Sequence, residues 1–188
     1  MTSPQFSYRP RFSILSILLS FSLCACASFS SDPRDRTPGA VIDDQILESS
    51  IKRAIKDSDD GFDDARISVV SYNGIVLLVG QVATDGLKAK AQTVSEAVRN
   101  VRTVHNELQV SAPISFLART NDSWITSKVK TKFAVSGDVD ADAFKVVTED
   151  GSVYLMGLIP RSQALRAVDV AATAYGVQRI VKVFEYLD

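Results

Sequence analysis

The 188-residue chain carries 21 lysines and arginines against 22 aspartates and glutamates, so it lacks the basic stripe that a nucleic-acid partner requires. It has one histidine and only two cysteines, one residue apart, which argues against a histidine–cysteine metal centre and against a disulfide framework.

Arg9 and Arg11 precede an apolar run from Phe12 to Leu23, the layout of a cleaved export signal. The 12 residues of that run fall short of the roughly 20 needed for a permanent membrane-crossing helix. At its end, Leu23-Cys24-Ala25-Cys26 resembles the lipobox of bacterial lipoproteins. The resemblance implies that residues 1–25 are a signal peptide, that Cys26 is the acylated residue, and that Cys24 fills a tolerant position. Several acyl chains on one residue suffice for stable membrane attachment. By the same analogy, Ala27 after the cysteine implies delivery to the outer membrane of a Gram-negative bacterium, facing the periplasm. Cleavage removes two arginines and no acids, leaving 19 basic against 22 acidic side chains.

Residues 27–42 are rich in Ser, Pro, Asp and Gly without helix or strand period. With Cys26 they read as a lipidated N-terminus and flexible tether, residues 26–42, spanning about 20–25 Å as a coil.

An internal repeat organises the rest. Asp44 to Ile55 is matched by Asp122 to Phe133, so that Leu47, Ile51 and Ile55 fall on Ile125, Val129 and Phe133. Spacings of four put each trio on one helical face, with Asp44 and Asp122 placed as N-caps. Next, residues 67–80 are matched by residues 144–157, in which alternating apolar residues flank Asn73-Gly74 and Asp150-Gly151, a hairpin signal. A second helix is predicted over residues 85–100 and 162–175, and a closing strand over residues 103–110 and 178–186. Gly74 and Gly151 serve the hairpins. Gly80 and Gly157, where the second strand ends, mark a backbone position needing positive φ or close helix approach rather than a phosphate cradle.

On a wheel of about 100° per residue with Ile125 at 0°, Val129 lies at about 40° and Phe133 at about 80°, which defines a buried face. Trp124 then falls at about 260° and Lys128 at about 300°, away from that face, with Lys132 nearby and Lys130 further round. An exposed indole among lysines suits a bilayer interface, where ammonium groups meet anionic phosphates. The same placement would also suit a Trp124 that fills the seam between the two copies, with the lysines as a solvated face. In the first copy Ile46 and Ser50 stand at the two positions, and the acid-rich stretch of residues 57–64 would repel an anionic surface.

Candidates for chemistry do not develop. Asp138, Asp140, Asp142 and Glu149 have calcium-loop spacing, but Ala143 stands where the sharp turn needs glycine. His105 has no second histidine or cysteine to complete a metal site or nucleophile pair. The chain is expected to be neither an enzyme nor a cofactor carrier.

Val76-Leu77-Leu78-Val79-Gly80 and Val153-Tyr154-Leu155-Met156-Gly157, each followed by an Ala-rich helix, resemble the BON domain (bacterial OsmY and nodulation). Together with residues 121–129 and 147–158, they are most similar to the DolP family of dual-BON outer-membrane lipoproteins associated with division and outer-membrane stress. The resemblance implies an α+β fold of two tandem BON domains, residues 43–112 and 120–188, each an αββαβ unit with a three-stranded mixed sheet and two helices. It implies that the first helix of the second domain binds anionic phospholipid, phosphatidylglycerol or cardiolipin, through Trp124, Ile125, Lys128, Lys132 and Phe133. Phe133 departs from the aliphatic residue typical of the family. The implied role is support of envelope integrity at division sites. The alternative is a periplasmic scaffold that docks an envelope protein on the Trp124 face.

Overall fold

The computed structural model describes residues 37–187, which fall within one compact unit. Cys26, the lipobox and residues 26–36 of the tether lie outside the described residues. The first copy runs α1 (Pro38–Ser58), β1 (Arg66–Tyr72), β2 (Ile75–Val82), α2 (Asp85–Glu96), β3 (Thr103–Asn106) and β4 (Gln109–Val110). The second runs α3 (Phe116–Ser136), β5 (Lys145–Glu149), β6 (Ser152–Ile159), α4 (Arg161–Ala172) and β7 (Arg179–Tyr186). Each sheet is mixed. The central strand, β2 or β6, pairs antiparallel with its hairpin partner and parallel with the closing strand, the parallel return being made through α2 or α4. In the first copy the closing strand is interrupted, and β3 and β4 both pair with β2.

The helices depart from the sequence expectation at both ends. α1 and α3 each begin six residues before Asp44 and Asp122. Their caps are Thr37, whose hydroxyl accepts the N–H of Ala40 at 3.2 Å, and Ser115, whose hydroxyl accepts that of Ala118 at 3.2 Å. Pro38, with φ preset for the first turn, makes residues 38–42 helix rather than tether. α2 and α4 stop short of their expected ends, at Glu96 and Ala172, and the turns that follow carry Asn100 (φ 72°) and Gly176 (φ 98°) in left-handed backbone.

Asp44 and Asp122 do a different job from capping. Asp44 is buried and accepts the N–H groups of Asn73 at 2.9 Å and Gly74 at 3.2 Å, and the Ser71 hydroxyl at 2.6 Å. Asp122, also buried, accepts the N–H groups of Asp150 and Gly151, both at 2.9 Å. Both turn residues of each hairpin have positive φ, the geometry that an Asn-Gly or Asp-Gly pair supplies. Each buried aspartate thus ties the tip of a hairpin to the helix above it.

The molecule is layered helix, sheet, sheet, helix. Leu47, Ile51, Ile55 and Ala91 pack on one face of β2 through Val76 and Leu78. Ile125, Val129, Phe133 and Ala167 pack on the matching face of β6 through Val153 and Leu155. The opposite sheet faces meet each other: Val70, Tyr72, Ile75, Leu77 and Val79 pack against Tyr154, Met156 and Val183. The central strands are therefore apolar on both faces. Four ion pairs ring this seam: Arg66–Glu149 and Lys145–Glu48, both at 2.8 Å, Arg179–Glu107 at 3.2 Å, and a bidentate Arg102–Glu185. Glu149 is buried and also accepts from Gln81 Nε2 at 2.8 Å. Each pair joins one copy to the other, as the marginal size of a single copy demands.

Gly80 and Gly157 are distinguished by their surroundings. Gly80 has φ 122°, and a Cβ there would lie 2.0 Å from the Arg66 carbonyl oxygen. A Cβ on Gly157 would lie 2.7 Å from the Ala143 carbonyl oxygen. The close neighbour is the backbone of strand β1 at Gly80 and the last carbonyl of the short 3-10 helix Ala141–Ala143 at Gly157.

Candidate functional site

The outer surface of α3 carries the side chains singled out in the sequence. Ile125, Val129 and Phe133 are buried, with Phe133 stacked at a tilt on Phe144 at 5.3 Å between ring centroids. Trp124 stands on the other side and is 64% exposed. The seam between the copies is filled by Tyr72, Tyr154 and their aliphatic neighbours, and Trp124 takes no part in it.

Of the five expected lipid contacts, Ile125 and Phe133 are core residues with no surface to offer, a correction to the sequence reading. Spacing of four puts them in the same buried stripe as Val129, and a side chain that covers the sheet cannot also face a bilayer. Trp124 is exposed, while Lys128 and Lys132 are partly exposed, one and two turns further along the helix.

The charge of this helix surface has one sign. α3 contains Arg119, Lys128, Lys130 and Lys132, and its single acid, Asp122, is buried on the hairpin N–H groups. The matched helix α1 interleaves Lys52, Arg53 and Lys56 with Asp43, Glu48 and Asp57.

Sequence periodicity alone missed several members of the face. Leu117 and Val135 are exposed on α3, seven residues before and eleven after Trp124, which puts them within about 20° of it around the helix. Tyr175 arrives from the turn after α4 and is 86% exposed. Lys128 Nζ lies 5.2 Å above its ring centroid and 3.5 Å from its carbonyl oxygen. The signal available in the sequence was the repeat itself, which sets Tyr175 opposite Arg99 and Trp124 opposite Ile46.

Other sequence candidates are accounted for structurally. Asp140 caps the short turn at residues 141–143 by accepting the N–H of Asp142 at 3.2 Å, and Glu149 is drawn into the seam, so the calcium spacing is not assembled. His105 is half-buried in β3, paired in register with Leu77. Among the described residues no group of three or more His, Cys, Asp or Glu is arranged to hold a metal, and no helix is long and apolar enough to cross a membrane.

Comparison with known proteins concerns the two copies as a whole. The BON domain family model matches residues 43–112 and 121–188. The chain is 43% identical over 162 residues to the outer membrane lipoprotein DolP of Haemophilus influenzae, covering 86% of this chain and 83% of that protein. It is 35% identical over 156 residues to the 21 kDa hemolysin of Actinobacillus pleuropneumoniae, covering 83% and 79%. It is 29% identical over 145 residues to the osmotically-inducible protein Y of Escherichia coli, covering 76% and 72%.

Proposed function

We propose a function from one premise: this chain belongs to the BON domain family and carries two copies of the domain. The protein is an outer-membrane lipoprotein facing the periplasm, a reading supported by the lipobox at Cys26 and by the similarity to a protein named as an outer membrane lipoprotein. Its second copy recognises anionic phospholipid, phosphatidylglycerol or cardiolipin, through Trp124, Lys128 and Lys132. The first copy supports it across the seam or holds an envelope partner. The protein acts by binding, in support of envelope integrity at division sites, and none of the three relatives bears the name of an enzyme.

The observation that carries the lipid reading is an exposed Trp124 beside Lys128 on a helix whose one acid is buried. An indole gains by sitting among headgroups, and each lysine near an anionic surface contributes about 1 kcal/mol. With attachment already supplied by an acylated Cys26, contacts of this size need only bias lateral position.

Trp124 is the only tryptophan, so its fluorescence reports on this face directly. The chain from Asp32 onward contains all three apolar cores and both sheets. Its emission should shift to the blue with phosphatidylglycerol vesicles and stay unchanged with phosphatidylcholine. No shift with the anionic vesicles would abandon lipid recognition in favour of protein docking at the same face.

A further inference from the structure

Tyr175 belongs to a different element from Trp124, yet it is held against the same helix. The buried Ala174 precedes it, and the N–H of Val177 closes the turn on the Ala174 carbonyl at 3.3 Å. Gly176 follows with φ 98°, and a Cβ there would lie 3.0 Å from Ile125 Cγ1. The turn is therefore seated on α3 at the residue next to Trp124, and the tyrosine ring projects outward from it, 86% exposed.

The first copy supplies an internal control. Its α2–β3 turn has the same shape, with Asn100 left-handed at φ 72° and the Val101 N–H on the Val98 carbonyl at 3.2 Å. Arg99 occupies the position of Tyr175, Ile46 that of Trp124 and Ser50 that of Lys128. The fold thus closes this turn without an aromatic residue, and a ring so exposed contributes little to packing. The three replacements coincide in one surface patch of the second copy.

We infer that Tyr175 is a second interfacial anchor, so that the lipid-contacting face is composite, built from α3 and from the turn after α4. This rests on the lipid reading above. Tyr175 is amphipathic, with a ring to sit at the acyl boundary and a hydroxyl to stay among headgroups. Lys128, one turn from Trp124 and over the Tyr175 ring, is kept at the surface where an anionic phosphate can meet it. A bilayer with anionic headgroups suits this mixture of rings and cation, because the rings enter the interface while the ammonium group finds its counter-charge.

The test uses the chain from Asp32 onward, co-sedimented with vesicles of phosphatidylglycerol and phosphatidylcholine or of phosphatidylcholine alone. Tyr175→Ala should weaken binding to the anionic vesicles about fivefold, the scale of one exposed aromatic–cation contact, while Tyr175→Phe keeps most of it. Thermal melting should be unchanged in both. A Trp124→Phe, Tyr175→Trp variant moves the single reporter to the turn, and its emission should shift to the blue only with anionic vesicles. If Trp124→Ala loses binding while Tyr175→Ala does not, and the reporter at 175 stays unshifted, the second anchor is refuted and the lipid reading stands. If neither alanine variant changes binding, both readings fall together.

Discussion

The carboxylate of Asp122, in the second turn of α3, accepts the backbone N–H of Gly151 at the tip of the β5–β6 hairpin at 2.9 Å. Asp44 makes the same contact to Gly74 in the first copy at 3.2 Å. The bond fixes where the helix lies on the sheet. It also hides the only negative charge of α3, so that one residue shapes both the fold and the electrostatics of the exposed face.

Asp122→Ala should therefore cost about 2–4 kcal/mol, because it leaves the N–H groups of Asp150 and Gly151 without their acceptor. Asp122→Asn keeps an oxygen acceptor and should cost less. Urea unfolding of the chain from Asp32 onward checks both, and a loss below about 0.5 kcal/mol for the alanine variant would contradict the clamp.

Gly80→Ala should be more damaging than Gly157→Ala. At Gly80 a side chain meets both an unfavourable φ of 122° and a carbonyl oxygen at 2.0 Å, so β1 must part from β2. The cost should exceed about 4 kcal/mol or prevent folding altogether. Gly157 has only the carbonyl at 2.7 Å to relieve, and its variant should fold with reduced stability. Equal melting temperatures for the two variants would be incompatible with this account.

Glu149→Ala tests the seam. It removes the acceptor of Arg66 and of the buried Gln81 amide, and should destabilise by about 2–4 kcal/mol. Glu149→Gln should lose less, since its oxygen can still accept one of the two donors. Chemical denaturation followed by circular dichroism distinguishes them.

Stability should also respond to acid through Glu185. The Arg102 guanidinium, followed by the Asn73 amide, holds the Glu185 carboxyl below its ordinary value of 4.5. A folded-state value lower than the unfolded one means that the contribution is present above about pH 4.5 and is lost as pH falls through the folded value. Glu185→Gln should thus cost up to about 1 kcal/mol at neutral pH, the scale of a partly exposed ion pair, with the gap to the native chain closing below pH 4.5. A gap that is constant from pH 7 to pH 3 would mean that the difference does not come from the charge of the Glu185 carboxylate.

If the proposed lipid reading is right, a Trp124→Glu, Lys128→Ala chain from Asp32 onward should remain folded while losing its preference for anionic over zwitterionic vesicles. Vesicle co-sedimentation, with circular dichroism as a control for folding, makes the comparison. An undiminished preference would remove lipid recognition from this face.

Local rules carried much of the architecture. Leu47, Ile51 and Ile55, and their counterparts Ile125, Val129 and Phe133, are the buried stripes that their spacing predicts. Asn73-Gly74 and Asp150-Gly151 form the two hairpin turns. The wheel also placed Trp124 outside the core. The same wheel put Ile125 and Phe133 on the buried face, so the lipid contacts that the family resemblance implied for them conflict with the face they occupy.

By itself, then, the sequence determined the repeat, the order of elements, the hairpin tips and the inner face of each helix, because 3.6- and 2-residue periods and turn chemistry act between near neighbours. That Asp44 and Asp122 clamp hairpins instead of capping helices follows from the packed fold alone, since their N–H partners lie 28 to 30 residues away. The same holds for the two sheets meeting face to face through Tyr72 and Tyr154, and for Tyr175 standing against Lys128 across 47 residues of chain. No local period encodes such contacts. They arise when apolar faces too small to stand alone are buried together, and the loops between those faces carry distant side chains into one patch.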